Sequence, residues 1–457
     1  MINIIESINR IVWGIPALLM ILGVGIYLCF QTSFVQFRLF PQALKSFLKQ
    51  FRKREAYSNG ISSYQALCTA LAATVGTGNI AGVAGAIAIG GPGAIFWMWI
   101  CAALGMVTKY AEATLAVRYR RRDQKGEYVG GPMYMINTAL PRMKWLASLY
   151  SIFGVVAAFG VGNATQINAV IGGINTVVIY FGGNQNRMVD VLIGLFLAVL
   201  LLFMLLGGAH RIGRVAENFV PYAALGYLML CLVILIARAK MIPGVIGMIF
   251  TSAFSPNAVT GGVVGSAFTA LRVGASRGVF TNEAGMGTAS IAHAASNVQH
   301  PVDQGLMGIM EVFLDTVVIC TMTALVILCS GIPISYGCDS GIMLTTQAFG
   351  NVLGNWVCIP ITVFLCCFAF ATFLGWGLYG IRCAQYLFGD KAWTCFTYMQ
   401  AVVTVVSVLL GTGVIWMIAE TVNGLMAIPN LVVLAHLAPE VRRLTFQYTG
   451  WNTCLNS

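Results

Sequence analysis

Charged side chains are scarce in this chain. Aspartate, glutamate, lysine and arginine make up 9% of the 457 residues, whereas a soluble domain carries about 25%. Hydrophobic residues make up 58%, and the mean hydropathy is +0.82. This composition excludes an ordinary soluble protein, so we interpret the length as a series of membrane spans of roughly 20 residues each.

Motifs of enzymes, metal centres and pumps are missing as well. The four histidines form no His-Glu-x-x-His pair. The stretch Gly274-Ala275-Ser276-Arg277-Gly278 lies inside a predicted span and not at a strand-to-helix turn, so it is no nucleophile elbow. The thirteen cysteines form no Cys-x-x-Cys pair and mostly lie in apolar runs, where cysteine acts as a small hydrophobic residue. No ATP-binding motif occurs, so an ion gradient is the expected energy source. We therefore predict neither an enzyme nor an organic cofactor.

The chain does contain a succession of long hydrophobic runs. They predict an all-α membrane protein with about eleven transmembrane helices. The predicted spans are 11–30, 64–89, 93–117, 145–180, 189–207, 219–237, 259–296, 304–330, 352–388, 393–412 and 413–436. A basic amphipathic linker follows the first span over 38–55, and a short amphipathic piece lies near 241–252.

Basic residues collect in loops on one side of these spans. The linker 38–55 and the run Arg118–Arg122 are separated by two crossings and therefore share a side, on which Arg214 and Arg443 also fall. Because basic loops stay in the cytoplasm, we expect the N-terminus outside and the C-terminus in the cytoplasm. The net charge of +11 is then explained by topology and by the headgroups of the lipid bilayer, and no nucleic-acid partner is expected.

The second predicted span contains a poor helix sequence. Within 73–99, Gly76, Gly78 and Asn79 bring flexible backbone and a polar amide into an otherwise apolar run. A spanning helix tolerates broken backbone only where it is buried in protein or lines a cavity. Such a break frees N–H and C=O groups near the middle of the membrane, and these bind a carboxylate and a cation. The pattern predicts a transporter for a small charged or zwitterionic solute.

This break has a counterpart later in the chain. Asn282-Glu283-Ala284-Gly285 repeats the Asn-x-Ala-Gly pattern of Asn79-Ile80-Ala81-Gly82 inside a second glycine-rich span. Five predicted spans run from each break, and because five is odd the two blocks start on opposite sides of the membrane. This predicts a 5+5 inverted repeat with two broken helices and one extra N-terminal helix, an architecture common in secondary transporters. The predicted units are 1–57 for the extra helix and linker, 58–240 and 241–438 for the two repeats, and 439–457 for a short cytoplasmic tail.

Several long motifs, spread over nearly the whole chain, resemble the sequences of the sodium:alanine (alanine/glycine:cation) symporter family. They are Gly76–Gly82, Gly90–Trp99, Lys109–Ala116, Gly130–Tyr134 and Arg277–Gly287. The resemblance implies a leucine-transporter-type fold in a bacterial or archaeal cytoplasmic (inner) membrane. It also implies co-transport of sodium with alanine or glycine. Two alternatives stay open: coupling to protons instead of sodium, and a membrane amino-acid sensor that does not transport.

The implied substrate, a small amino acid, needs hydrogen-bond donors for its carboxylate and a pocket of limited size. We assign the carboxylate to the backbone N–H groups of Thr77 and Gly78, and we count Asn79, at the same break, among the substrate-binding residues. The resemblance assigns Gln166, in the middle of its span, to substrate contact. Two aromatic residues are expected to wall the pocket and restrict it to small side chains: Phe280 and Trp376.

Sodium is a hard cation that binds oxygen. We assign it to the backbone carbonyls that the break frees at Ala72, Thr74 and Val75, and to the hydroxyl of Thr372 on a facing helix. The alternative for Thr372 is an ordinary helix threonine that bonds to its own backbone. The resemblance is imperfect beside it, since family members often carry serine where this chain has Ala371.

A charged residue within a span is usually paired or functional. Glu283 lies in the second break, and Arg272 and Arg277 are its expected partners. A carboxylate in this place would hold the unwound segment in position or form part of a gate.

Two further groups of charges lie within predicted spans. Lys109 and Glu112 are three residues apart, and we expect them to pair on one helix near its cytoplasmic end, where long side chains reach the headgroups. Glu311 and Asp315 are four residues apart and share a helix face, but the sequence assigns them no role.

Overall fold

The computed structural model describes residues 9, 12, 14–52, 61–254, 267–337, 341–409 and 412–450. Nearly all of these residues are helical, and one short antiparallel hairpin pairs Arg121–Arg122 with Tyr128–Val129. The predicted all-α class is therefore confirmed. The end of the basic linker and the boundary expected at residue 57 lie outside the described residues.

The described residues contain the predicted series of spans. Eight helices are long and apolar enough to cross a membrane, and a bent pair of shorter helices makes a ninth. The shorter apolar helix Ile15–Gln31 lies where the first span is predicted, and the interrupted pair Ala267–Asn282 and Thr288–Ala294 lies where the seventh is predicted. The eight single helices are Gly93–Arg118, Trp145–Tyr180, Arg187–Leu205, Gly208–Ala237, Pro301–Cys329, Asn355–Phe388, Ala392–Leu409 and Ile418–Thr449. The bent pair is Ser63–Thr74 with Gly78–Gly90.

Shorter helices connect these spans. The amphipathic linker forms the helix Phe40–Arg52, on which Lys45 and Lys49 are exposed while Ala43 is buried. The expected amphipathic piece after the sixth span is the helix Ile242–Phe254. The remaining short elements are Val35–Arg38, Pro132–Ala139, Pro141–Met143, Ala239–Met241, Gly341–Leu353 and Asn355–Val357.

Two predicted boundaries differ from the structure. The sixth span begins at Gly208 instead of residue 219, so the basic stretch around Arg214 is helical. The final helix, Thr412–Thr449, continues past the boundary expected at residue 438. Its end is held by side-chain bonds to distant segments, since Arg118 pairs with Glu440 at 3.0 Å and Tyr448 donates to Asp303 at 2.8 Å. These tertiary contacts, which local sequence does not reveal, make residues 439–449 a docked helix end.

Helix 358–388 lies at the centre of the helical packing. It contacts the helix Ser63–Thr74, the span Trp145–Tyr180 and the helix Gly208–Ala237. Ser63–Thr74 begins with a capping box, in which Ser62 and Gln65 exchange side-chain to backbone hydrogen bonds of 3.0 Å. This packing places the end of Ser63–Thr74 against the middle of the central helix, and that contact is where the site is found.

Candidate binding site at the first helix break

The first break lies where the glycine and asparagine pattern predicts it. Helix Ser63–Thr74 ends, Val75 takes an extended conformation with ψ 92°, and the chain resumes helical form at Gly78 with a bend of 53°. The first turn after the break is the π-helical segment Gly78–Gly82. Single π-helical turns are rare and are frequently found at functional sites.

The Asn79 side chain fixes the shape of this break. Its Oδ1 accepts a hydrogen bond from the Gly76 N–H at 2.8 Å, and its Nδ2 donates to Asp315 Oδ1 at 2.7 Å. Both ends of the fully buried amide are therefore engaged within the protein. Asn79 thus shapes the break, while a direct contact with substrate stays a prediction.

Other backbone groups at the break remain available to a ligand. In the described part of the chain, the N–H groups of Thr77 and Gly78 donate no hydrogen bond outside a helix. The same holds for the carbonyls that the helix end leaves at Ala72, Thr74 and Val75, none of which accepts such a bond. A helix N-terminus attracts anions and a helix C-terminus attracts cations. The break therefore has the polarity that the predicted carboxylate and cation sites require, and both sites stay predictions.

Thr372 lies directly opposite the break. A methyl group added at Gly76 would come within 2.7 Å of Thr372 Oγ1, so only glycine permits this approach. The hydroxyl donates its proton to the Phe368 carbonyl at 3.0 Å, as an ordinary helix threonine does. Because a hydroxyl oxygen has two acceptor lone pairs, the bond leaves the oxygen free to face the carbonyls of the break.

The aromatic residue Trp376 joins the central helix to two other parts of the site. Its side chain lies so close to Gly162 that a methyl group there would come within 2.2 Å of Trp376 Cβ. Its indole N–H donates to Glu283 Oε1 at 2.9 Å. The structure thus brings the predicted wall residue beside both the third span of the first repeat and the second break.

Gln166 follows directly after a π-helical segment, Gly160–Ala164. Its Nε2 donates to the Val161 carbonyl at 3.1 Å and to Thr165 Oγ1 at 3.3 Å. Its Oε1 is buried and accepts no hydrogen bond from the described residues. An acceptor that is buried without a donor is costly, and a ligand ammonium group would remove that cost.

Phe280 lies next to the first break, as its assignment to the pocket wall requires. A methyl group added at Gly78 would lie 3.9 Å from the Phe280 ring and 3.2 Å from Thr281 Cγ2. The end of helix Ala267–Asn282 therefore meets the restart of the first broken helix. The two breaks lie side by side, although they are separated by about two hundred residues of chain.

The second break differs from the first in how its backbone is held. Helix Ala267–Asn282 ends, and Glu283, Gly285 and Gly287 adopt positive φ angles of 54°, 93° and 78°. The N–H groups of Gly285 and Gly287 both donate to Glu112 Oε1, at 3.0 and 3.1 Å. Asn430 donates to the same oxygen at 2.8 Å. A buried carboxylate thus occupies the donors that this break frees.

The expected arginine partners of Glu283 are replaced by neutral donors. Glu283 accepts hydrogen bonds from Trp376 and, at 2.6 Å, from the Thr288 hydroxyl. Arg277 instead pairs with Glu420 at 3.2 Å, and Arg272 is exposed. The arginines point away because their helix carries them on faces that do not meet the break, so Glu283 is held without a salt bridge among the described residues.

The prediction that Lys109 pairs with Glu112 is also wrong, because each residue has another partner. Lys109 forms a salt bridge of 3.0 Å with Glu311, and both side chains are fully buried, so neither reaches the headgroups. His293 also bonds to Glu311 at 2.9 Å. Glu112 turns to the backbone of the second break instead. Pairing is decided here by which helices pack together, and three-residue spacing alone does not predict it.

Sequence reasoning assigned Asp315 no role and gave Glu112 the wrong partner. Both carboxylates are fully buried and each contacts one of the breaks. The sequence signal was available, since a carboxylate inside an apolar span requires a partner. What the sequence did not give was the partner itself, which comes from a helix far along the chain.

Comparisons with known proteins agree with this geometry. The sequence pattern of the "Sodium:alanine symporter family" matches residues 1–453. The sodium/alanine symporter AgcS of Methanococcus maripaludis is 42% identical over 443 residues, covering 96% of this chain and 95% of that protein. An uncharacterised transporter of Haemophilus influenzae is 42% identical over 450 residues, covering 98% and 96%. Among solved structures, that of MhsT in complex with L-phenylalanine has a TM-score of 0.59 at 14% identity, covering 86% of this chain and 99% of that one.

Proposed function

The chain belongs to the sodium:alanine symporter family of cation-coupled amino-acid transporters, which are not enzymes, and we propose that it imports a small neutral amino acid, alanine or glycine, together with sodium. The observation that carries this proposal is the first break. It combines, with the Thr372 hydroxyl on the facing helix, N–H groups and carbonyls that have no hydrogen-bond partner outside a helix among the described residues. A single site of this kind would bind both transported species, the amino acid through its carboxylate and the inorganic cation through oxygen atoms.

Each chemical group of an amino acid has a counterpart here. The carboxylate would bind the N–H groups of Thr77 and Gly78, and the ammonium group would donate to Gln166 Oε1. Phe280 and Trp376 would limit the side chain to a methyl group or a hydrogen atom. Asn79 would support this pocket by holding the backbone of the break.

Sodium would bind at the carboxyl end of the broken helix. The carbonyls of Ala72, Thr74 and Val75 and the Thr372 hydroxyl supply oxygen ligands from two different helices. Because these helices move relative to each other in an alternating-access cycle, an ion between them favours the conformation in which the break is formed. Sodium would thereby raise the affinity for substrate, and substrate would raise the affinity for sodium by the same factor.

The proposed orientation follows from the basic loops. The exposed lysines of Phe40–Arg52 and the arginines that follow Gly93–Arg118 would face the cytoplasm of a bacterial or archaeal cell. The N-terminus would then lie outside, and inward sodium flow would drive uptake.

Radiolabelled alanine uptake into proteoliposomes tests the proposal, with an inward sodium gradient in one sample and an equal potassium gradient in the other. We expect uptake in sodium only, with competition by excess glycine. Equal uptake in both salts would show that transport is not coupled to sodium, and coupling to protons would be tested next. If folded protein takes up no small amino acid, the proposal is wrong and a sensor function becomes the alternative.

A further inference from the structure

The asparagines of the two repeated Asn-x-Ala-Gly motifs bond to neighbouring residues of one helix. Asn79, at the first break, donates to Asp315 Oδ1 at 2.7 Å. Asn282, at the second break, donates to the Thr316 hydroxyl at 3.2 Å. Two positions separated by about two hundred residues, and equivalent in the repeat, therefore meet on adjacent side chains.

Asp315 and Thr316 are also bonded to each other. The Thr316 hydroxyl donates to Asp315 Oδ2 at 2.8 Å, which closes a continuous chain from Asn79 through the carboxylate and the hydroxyl to Asn282. We refer to Asp315 and Thr316 as the bridge. They lie in the π-helical segment Phe313–Cys320 of the helix Pro301–Cys329.

The hydrogen bonds of the bridge lie away from water. All four side chains are buried, with at most 1% of any of them exposed. Within the described residues no lysine, arginine or histidine forms a salt bridge with Asp315, so its hydrogen bonds are what stabilise the carboxylate. Because water does not replace a lost hydrogen bond in a buried site, breaking such a bond is costly. The two breaks are therefore tied together at a fixed distance.

We propose that Asp315 and Thr316 are positioning residues that transmit sodium binding from the first break to the substrate pocket. The chain of contacts begins at Gly76, which touches Thr372 and donates to Asn79. It ends at Asn282, two residues after the pocket wall residue Phe280. Sodium that orders the first break thus orders the wall on the second broken helix. This inference rests on the proposed sodium-coupled function.

Thr316 permits a test that leaves the carboxylate in place. Thr316→Val keeps the shape of the side chain but removes the hydroxyl that joins Asp315 to Asn282, whereas Thr316→Ser restores it. Thr323→Val is the matched control, because Thr323 lies on the same helix, is fully buried, and bonds to Tyr227 at 2.8 Å instead of to either break. Asp315→Ala, which removes both carboxylate oxygens, provides a second cut of the bridge if Thr316→Val does not fold.

The quantity to measure is the factor by which saturating sodium lowers the dissociation constant of alanine in purified protein. In Thr316→Val we expect this factor to fall roughly fivefold or more, since coupling between sites typically amounts to a factor of 5 to 150. Thr316→Ser and Thr323→Val should keep the factor of the unmodified protein. A merely structural role for Thr316 would lower the yield of folded protein without changing the factor.

Three outcomes would contradict the proposal. If the unmodified protein shows the sodium effect and Thr316→Val shows it equally, the bridge does not transmit it. The bridge proposal also fails if Thr323→Val loses the effect as much as Thr316→Val. If the unmodified protein itself shows no sodium effect on alanine binding, the proposed sodium coupling is wrong, and the bridge proposal fails with it.

Discussion

The two broken helices share a sequence motif but use their broken backbone differently. At the first break, the N–H groups of Thr77 and Gly78 and nearby carbonyls have no partner outside a helix in the part of the chain that the structure describes. At the second break, the N–H groups of Gly285 and Gly287 are both bound to Glu112. The first break therefore keeps the backbone groups that the proposed ligands require, while the protein's own carboxylate occupies the donors of the second break.

This difference shows that a broken helix is not by itself a binding site. The free energy of binding comes from polar groups whose partners are missing, because an unpaired buried group is costly and a ligand removes that cost. Where an internal carboxylate already satisfies the N–H groups, the break becomes a rigid support. The contrast between the two breaks leads to three predictions, beginning with the one that has the largest effect.

The second break should lose its support when Glu112 is removed. Glu112→Ala leaves the N–H groups of Gly285 and Gly287 and the amide of Asn430 without their acceptor in a buried site. With a cost of about 1–3 kcal/mol for each unsatisfied group, we expect a large fall in the thermal unfolding temperature of the purified protein. Glu112→Gln keeps an acceptor oxygen and should lose much less. An unfolding temperature equal to that of the unmodified protein would show that Glu112 does not hold the break.

The first break should lose cation affinity, and little stability, when Thr372 is changed. Thr372→Ala removes one proposed sodium ligand, and the loss of a bond to a charged partner of about 1.5 kcal/mol or more corresponds to roughly a tenfold higher sodium concentration for half-maximal uptake. Thr372→Ser keeps the hydroxyl and should behave normally. Alanine affinity at saturating sodium should change little in either variant. Normal sodium dependence in Thr372→Ala would remove Thr372 from the ion site.

Gln166 should give the smallest effect of the three. Gln166→Ala removes the Oε1 acceptor that the described residues leave unpaired, and a net hydrogen-bond contribution near 1 kcal/mol corresponds to about a fivefold weaker alanine affinity. Asn168→Ala is the matched control on the same helix, because its amide bonds only within its own helix, to the Ala164 carbonyl at 2.9 Å. Equal losses in both variants would indicate a general defect of this helix rather than a lost substrate contact.

Local features of the sequence predicted the spans and the breaks. Glycines and asparagine within an apolar run weaken a helix wherever the chain is placed, so the break at Val75 and Gly76 follows from nearby residues alone. The partners of the buried charges could not be predicted in this way. Lys109 and Glu311 are about two hundred residues apart, and only the packing of their helices brings them together. The same reason explains why the helix end that carries Glu440 was expected to be a tail.

The most direct test of the difference between the breaks is hydrogen–deuterium exchange of the purified protein with and without sodium and alanine. We expect the ligands to slow exchange in peptides that cover 72–79, because the N–H groups of Thr77 and Gly78 donate no hydrogen bond outside a helix in the described part of the chain. Exchange in peptides that cover 283–288 should be slow in both conditions, because Glu112 already holds the amides of Gly285 and Gly287. Protection by the ligands that is confined to 283–288, or equal at both breaks, would contradict the assignment of the first break as the binding site.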